Sequence, residues 1–471
     1  MTEVLHALDA TTLLAGYRDG TLSPVEVTEA VIVQIERTEP HLHAMYGFDP
    51  DGARAAARRS ERRWREGAPL TGADGVTLDG VPATIKENIA TKGTPVPLGT
   101  AATRLVPATA DAPPAARLRE AGVVILGKTT MPEYGAMSSG VSSIHATARN
   151  PWNRAMNPGG SSAGAGAGGA AGYGPLHIGT DIGGSIRLPA AWNGLVGLKP
   201  SLGRIPIDPP YQGRCAGPMC RTVEDAARMM AVLSRPDPQG RDSMNLPPAM
   251  LDWLALDIDL AGVRIGLQLD AGCGMPVDPL TIDPVIAAAR LFEAAGAVVE
   301  PLAPWMTDDL LQGVNQFWLI RAAQDLATLD DAKRAKVLPV FLEWAAPAAR
   351  MTALEAFRAY TATMEVRTRT VAATKGVDFV LSPVSPNTSF PAEWSYVTND
   401  VSRAMDHIGF TLPYNMSEQP AVAICCGYDT AGVPIGLQIA GHRFDDTGVL
   451  RMVRAWERMR SPMRPWPMDV L

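Results

Sequence analysis

Residues 150–201 are unusually rich in glycine, alanine and serine, and this stretch constrains the chain more than any other. Glycine permits backbone angles that other residues disfavour and lets the chain approach a bound molecule closely. Two serine-bearing turns lie inside it. Pro158-Gly159-Gly160-Ser161-Ser162 opens a Gly/Ala helix predicted to run to about Gly172, with Ser162 as a candidate N-cap. Gly179-Thr180-Asp181-Ile182-Gly183-Gly184-Ser185-Ile186-Arg187 reads as a Gly-Gly-Ser turn leading into a short helix. Successive N–H groups around one hydroxyl suit an oxyanion hole. Asp181 and Arg187 are placed to pair across that turn and hold it, a structural role rather than a chemical one.

The flanks supply the fold class. Ser23-Pro24 is an N-cap with proline at the first helical position, and residues 10–65 read as helices. A strand-like run follows at 76–90, a helix near 111–121 and an apolar strand at 123–126. Helices are predicted from Thr222 and at 282–295, with a strand at 263–267 between them. Residues 305–375 read as largely helical, then strands at 378–381, 421–426 and 434–440 precede a last helix from Asp445. Alternating helices and short apolar strands predict an α/β layered fold. No repeat, charge run or long polar linker divides it, so one domain over 1–471 is expected, with an N-terminal helical segment at 1–65, a core at 76–235 and a helical region at 300–375.

Composition closes off several functions. Hydrophobic residues make up 46% and the net charge is −7, which argues against disorder and gives no footprint for nucleic acid. No run of about 18 apolar residues spans a membrane, and the N-terminus lacks the basic and apolar regions of a signal peptide. Five cysteines, an odd number, do not read as a disulfide framework; a reducing cytoplasm is the expected compartment. No HExxH or paired-cysteine motif offers a metal site.

Lys86, in GVPATIKEN, is flanked by Ile85 and Ile89, so it is expected at a buried strand end. Burial favours the neutral amine, which accepts a proton near neutral pH. Two other motifs are set aside. Gly164-Ala165-Gly166-Ala167-Gly168-Gly169 matches GxGxxG but has neither a preceding strand nor an acid at the right distance. His177 lies between the two serines, but in an apolar strand-like stretch with no nucleophile elbow around it. A hydrolase built on these serines must therefore find its base elsewhere, and Lys86 is the candidate.

At these residues the chain resembles the amidase signature family. GGSSAGAGAG and GTDIGGSIRLPAAWNGLVGLKPS match its defining segment, with Ser161 placed 24 positions before Ser185. GVPATIKEN, KTTMPEYGAMSS at 128–139, NPW at 150–152, GPMCRTVEDAA at 217–227, DFVLSPVSP at 378–386 and GVPIGLQIAGHRFDD at 432–446 carry the likeness along nearly the whole chain. The resemblance implies a mixed, central β-sheet with helices on both sides, and Lys86 as base, Ser161 as relay with a cis peptide bond, and Ser185 as nucleophile. It places the oxyanion hole at the N–H groups of Ile182, Gly183, Gly184 and Ser185, supported by Ser162, Thr180, Asp181 and Arg187. It implies a small-molecule amide substrate (with esters or carbamates as further ones), no cofactor, and the homodimer that many relatives form. Thr130, Cys220 and Ala163 depart from the commonest pattern, the first two being read as packing changes.

Tyr134, Met137, Phe317 and Trp318 are the expected pocket residues, pointing to an apolar or aromatic acyl or amine group. Two rival readings stand beside the amidase: the A-type component of a glutamyl-tRNA amidotransferase, working on glutamine with partner subunits, and an inactive scaffold.

Overall fold

The structure, a computed structural model, describes residues 4–240, 246 and 250–469. Its helices are α1 (Ala10–Asp19), α2 (Pro24–Leu42), α3 (Pro50–Arg65), α4 (Pro113–Glu120), α5 (Ala163–Ala171), α6 (Arg187–Asn193), α7 (Val223–Leu233), α8 (Pro279–Ala294), α9 (Asp308–Ala327), α10 (Asp331–Arg334), α11 (Pro339–Ala345), α12 (Ala353–Thr374), α13 (Leu412–Met416) and α14 (Asp446–Met459). The strands are β1 (Met45–Tyr46), β2 (Pro82–Lys86), β3 (Val124–Thr129), β4 (Leu176–Asp181), β5 (Val196–Lys199), β6 (Cys215–Cys220), β7 (Arg264–Leu267), β8 (Val298–Pro301), β9 (Phe379–Pro383), β10 (Ala421–Tyr428) and β11 (Pro434–Gly441).

Among the described residues these strands form one eleven-stranded sheet, in the order β1-β3-β2-β4-β6-β5-β10-β11-β9-β7-β8. It is mixed: β2 runs parallel to both β3 and β4, whereas β6, β5, β10 and β11 pair antiparallel. Alternation along the strands divides the core in two. Val422, Ile424, Leu437 and Ile439 pack with α7, α8 and α14 on one face. Ala421, Ala423 and Ala440 face α6, α9 and α13 on the other. The chain is thus a single α/β domain with helices on both sides of a central sheet.

The second face carries small residues for a steric reason. A Cβ on Gly197 would sit 2.4 Å from that of Ala190, and one on Gly436 equally close to that of Ala191. Both glycines let α6 lie almost against the sheet, and this fixes the turn that precedes it. All nine residues of α5 are buried, and a Cβ on Gly164 would meet the Ala44 carbonyl oxygen at 2.1 Å. The GxGxxG match is therefore a tightly wedged helix and not a phosphate-binding loop.

Most predicted elements lie within a few residues of those observed. The run at 76–90 narrows to β2, because Gly80, at φ +86, turns the chain just before it. β6 went unforeseen, since CAGPMC contains a proline that normally marks a sheet edge, and Pro218 here lies in the interior, opposite Ile178. Among the described residues no helix is long and apolar enough to cross a membrane.

Candidate active site

β2 is buried along its whole length and delivers Lys86 at its C-terminal end, between β3 and β4. The side chain is fully buried. Its Nζ lies 2.8 Å from Ser161 Oγ and 3.0 Å from Thr180 Oγ1, and donates to the Thr180 carbonyl at 3.4 Å. Thr180 Oγ1 also accepts from Asn88 Nδ2 at 3.0 Å. Burial, then the nearby Arg214 guanidinium, pushes the Lys86 amine well below the ordinary lysine range, against weaker pull from Asp181 and Glu87. Burial therefore favours the neutral amine at Lys86.

Ser161 follows a cis peptide bond from Gly160. Glycine is required there, because a Cβ at 160 would sit 2.4 Å from the Ser139 carbonyl oxygen. Gly135 lies above the serine, its would-be Cβ 3.6 Å from Ser161 Oγ. Ser162 departs from expectation. It stands at the N-cap position of α5 but makes no capping bond. Its hydroxyl turns instead to Thr180, donating to the carbonyl at 3.3 Å and accepting from the amide at 3.4 Å. Its own N–H donates to the Ser185 carbonyl at 3.2 Å, so Ser162 ties the two serine turns together.

The second turn is organised by Asp181, the last residue of β4. Its buried carboxylate accepts from the amides of Gly184 (2.8 Å), Ile186 (3.1 Å) and Arg187 (3.4 Å), and from Asn415 Nδ2 (2.8 Å). Arg187 adds two more bonds, Nε and Nη2 each at 3.0 Å. Burial pushes this carboxyl up, but Arg187, Asn415 and the Ile186 amide outweigh it and leave it below the ordinary carboxylate range. Arg187 is in turn held by the Thr411 carbonyl at 2.9 Å, Gln438 Oε1 at 2.8 Å and Asn415 Oδ1 at 2.6 Å. The expected Asp181–Arg187 pair is present and fully buried.

This arrangement corrects one expectation. The Gly184 N–H is engaged by Asp181, so it does not point at a substrate oxyanion. The amides of Ile182, Gly183 and Ser185 have no protein acceptor among the described residues, which leaves three N–H groups for that role. Gly184 matters as backbone instead. Its φ is +129, and a Cβ there would meet Thr411 Oγ1 at 2.7 Å.

Ser185 is partly exposed and opens onto a cleft. Tyr134, Met137, Ile182, Gly183, Trp318, Phe341, Trp344, Met405 and Ile408 line it, with Arg321 and Asp325. Tyr134 stacks on Phe341 with centroids 5.0 Å apart. Tyr134, Met137 and Trp318, the expected pocket residues, are among this lining. Phe317 is not among them: it stacks on Tyr211 (5.9 Å), the ring over which Arg321 lies. Thr130 donates to the carbonyls of His43 and Ala44, and Cys220 lies buried in β6 against Met229. Both are packing residues. His177, between Thr84 Oγ1 at 2.7 Å and the Gly174 carbonyl at 3.1 Å, is lowered to about 3 by burial and then by Arg221. It touches neither serine.

Sequence reasoning missed Arg214, Arg321, Asp325, Thr411, Asn415 and Gln438. Asn415 and Gln438 reach Arg187 from 228 and 251 positions away, and no local pattern marks them.

Known proteins share this architecture. The amidase family model matches residues 26–450. An acylamidase of Rhodococcus erythropolis is 32% identical over 478 residues, covering 99% of this chain and 98% of that protein. The A-type component of the glutamyl-tRNA(Gln) amidotransferase of Myxococcus xanthus (strain DK1622) is 34% identical over 487 residues, covering 95% and 96%. The crystal structure of a bacterial aryl acylamidase of the amidase signature family aligns at a TM-score of 0.88 with 28% identity, covering 99% of each chain.

Proposed function

Because this chain belongs to the amidase signature family, we propose that it is a serine amidohydrolase that cleaves the C–N bond of a small carboxamide through an acyl-enzyme on Ser185. The observation that carries the reading is the contact between a fully buried lysine and Ser161, 2.8 Å apart, beside a turn that presents Ser185 to the cleft.

In this reading neutral Lys86 takes the proton of Ser161 as Ser161 takes that of Ser185. Ser185 Oγ bonds to the carbonyl carbon, and the C=O electron pair moves onto oxygen. The N–H groups of Ile182, Gly183 and Ser185 receive that charge, each such donor contributing about 2.7–4 kcal/mol in comparable sites. The tetrahedral species collapses, the C–N bond breaks, and Ser161 returns a proton to the departing nitrogen while Lys86 re-protonates Ser161. Water then attacks the acyl-enzyme by the same relay in reverse. Asp181 and Arg187 take no part in proton transfer; they hold the turn. Esters and carbamates would enter the same path, since their leaving groups need no more help than an amine.

The aromatic lining and the likeness to acylamidases support aryl or other apolar amides. The alternative, a glutamine-hydrolysing component of a larger complex, rests on the 34% identity to the amidotransferase. Hydrolysis by the purified chain and its Ser185→Ala variant separates them, using para-nitroanilides, aliphatic amides, glutamine, para-nitrophenyl esters and an aryl carbamate. The proposal expects Ser185-dependent turnover of arylamides and esters by the chain alone. Turnover of glutamine only, or of nothing until partner subunits are added, would favour the amidotransferase. Failure of a fluorophosphonate to label the folded protein would favour a scaffold.

A further inference from the structure

The proton relay leaves two charges in the cleft wall without a part to play, Arg321 and Asp325 on α9. A guanidinium in an otherwise apolar cleft ordinarily pairs with a carboxylate. Among the described residues Arg321 makes no ion pair; it lies over the Tyr211 ring, 4.1 Å from the centroid. Arg214, buried nearby, adds to the positive field, and burial followed by Arg321 lowers it to about 10. The one acid on this wall, Asp325, stands a helical turn beyond Arg321, and burial raises its carboxyl against the pull of Arg321. A further donor goes unused: the buried indole N–H of Trp318 has no partner among the described residues.

Position on the helix sets the reach. Trp318 packs over the nucleophile turn, since a Cβ on Gly183 would come 2.8 Å from its Cη2. Arg321 is three residues further, about 4.5 Å along the helix axis at 1.5 Å per residue. Arg321 therefore lines the same cleft as Ser185, just beyond the Trp318 contact with that turn. We propose that the substrate carries a carboxylate on the portion that lies along this aromatic wall, bound by Arg321, so that the enzyme prefers acidic aryl amides or esters over their neutral counterparts. This rests on the cleft serving the Ser185 reaction proposed above.

The test measures binding separately from turnover. Ser185→Ala is titrated with 4-acetamidobenzoate and with its methyl ester, followed through the fluorescence of the cleft tryptophans Trp318 and Trp344. The expected result is tighter binding of the carboxylate by about tenfold or more, the strength of one charge-assisted hydrogen bond. That ratio should fall to near one in Ser185→Ala/Arg321→Met and survive in part in Ser185→Ala/Arg321→Lys. It should rise in Ser185→Ala/Asp325→Asn, which removes a repelling charge, an effect that a merely structural role for Arg321 would not produce. A ratio near one in Ser185→Ala, or one that Arg321→Met leaves in place, overturns the inference. Wild-type esterase activity is measured in parallel. If it persists in Ser185→Ala while the binding preference holds, the proposed reaction fails and the carboxylate site stands.

Discussion

Lys86 and Arg321 are both cations beside one cleft, yet they sit in different kinds of protein. Lys86 is fully buried, ends a central strand and is fixed by Ser161 and Thr180. The two serine turns beside it are closely packed: Gly160 and Gly184 each occupy a place where a Cβ would collide. Arg321 is partly exposed on a helix and rests on an aromatic ring with no carboxylate partner among the described residues. Its neighbours Tyr134, which follows β3, and Phe341 and Trp344, both on α11, meet through their side chains. The first region constrains the backbone to hold reacting groups in place, and the second uses side chains on helices to shape what enters. Changes in the first should therefore act on the rate of reaction itself, and changes in the second on which substrate reacts.

Lys86→Met should have the largest effect. Loss of the base should lower kcat/KM for an ester by about 10⁴-fold or more, as deletions in other nucleophile–base relays do. In wild type kcat/KM should fall as pH falls, because Lys86 must be neutral. Stability gives a second readout with a definite sign. The folded amine titrates well below its unfolded range, so the unfolded chain binds more protons between those two values and Lys86 contributes less to stability as pH falls. The melting temperature of Lys86→Met relative to wild type should therefore rise as pH is lowered from about 10, near the unfolded lysine value. A gap that does not change with pH would contradict the depressed amine.

Asp181→Ala comes next. Breaking a buried ion pair by removing one partner destabilises by about 3–5 kcal/mol, and it frees the Gly184 amide as well. Denaturant unfolding should register the loss together with a fall in kcat. Gly184→Ala should then lower kcat by about 10²-fold, because the added methyl meets Thr411 and a misplacement of about 1 Å is that costly. If kcat held and only KM rose, the turn would belong to the binding region and the contrast between the two would fail.

The cleft wall should respond more mildly. Trp318→Ala should raise KM for an aryl substrate by about tenfold, consistent with burial of an aromatic group, and should affect an acetyl ester less. Phe317→Ala, one residue earlier but stacked on Tyr211, should change kcat/KM by less than about threefold. An equal effect of both would show that the cleft boundary is misdrawn.

The same contrast explains what could be read from the sequence. That Lys86, Ser161 and Ser185 would come together, and that Asp181 would pair with Arg187, was legible because they lie in short motifs whose glycines report backbone crowding. The α/β class was legible because β10, β11 and α14 carry clear apolar patterns. The Gly184 amide was assigned wrongly, since a Gly-Gly-Ser motif shows that N–H groups are available without showing that a carboxylate three residues earlier has already engaged one. The candidate N-cap role of Ser162 also fails: its position marks an N-cap, but Thr180 on the neighbouring strand captures its hydroxyl. The wall was least legible. Trp318 and Phe317 are adjacent aromatics, and only the rotation of α9 against Gly183 decides which one lines the cleft.

The central claim is that Ser185 carries the acyl group. Its direct test is intact-protein and peptide mass spectrometry after brief reaction with a slowly released aryl ester or a fluorophosphonate. The account predicts one added acyl or phosphonyl mass on the peptide containing Ser185 in wild type, none in Ser185→Ala, and strongly slowed labelling in Lys86→Met. A full-yield adduct on another serine, or labelling that persists in Ser185→Ala, would contradict it.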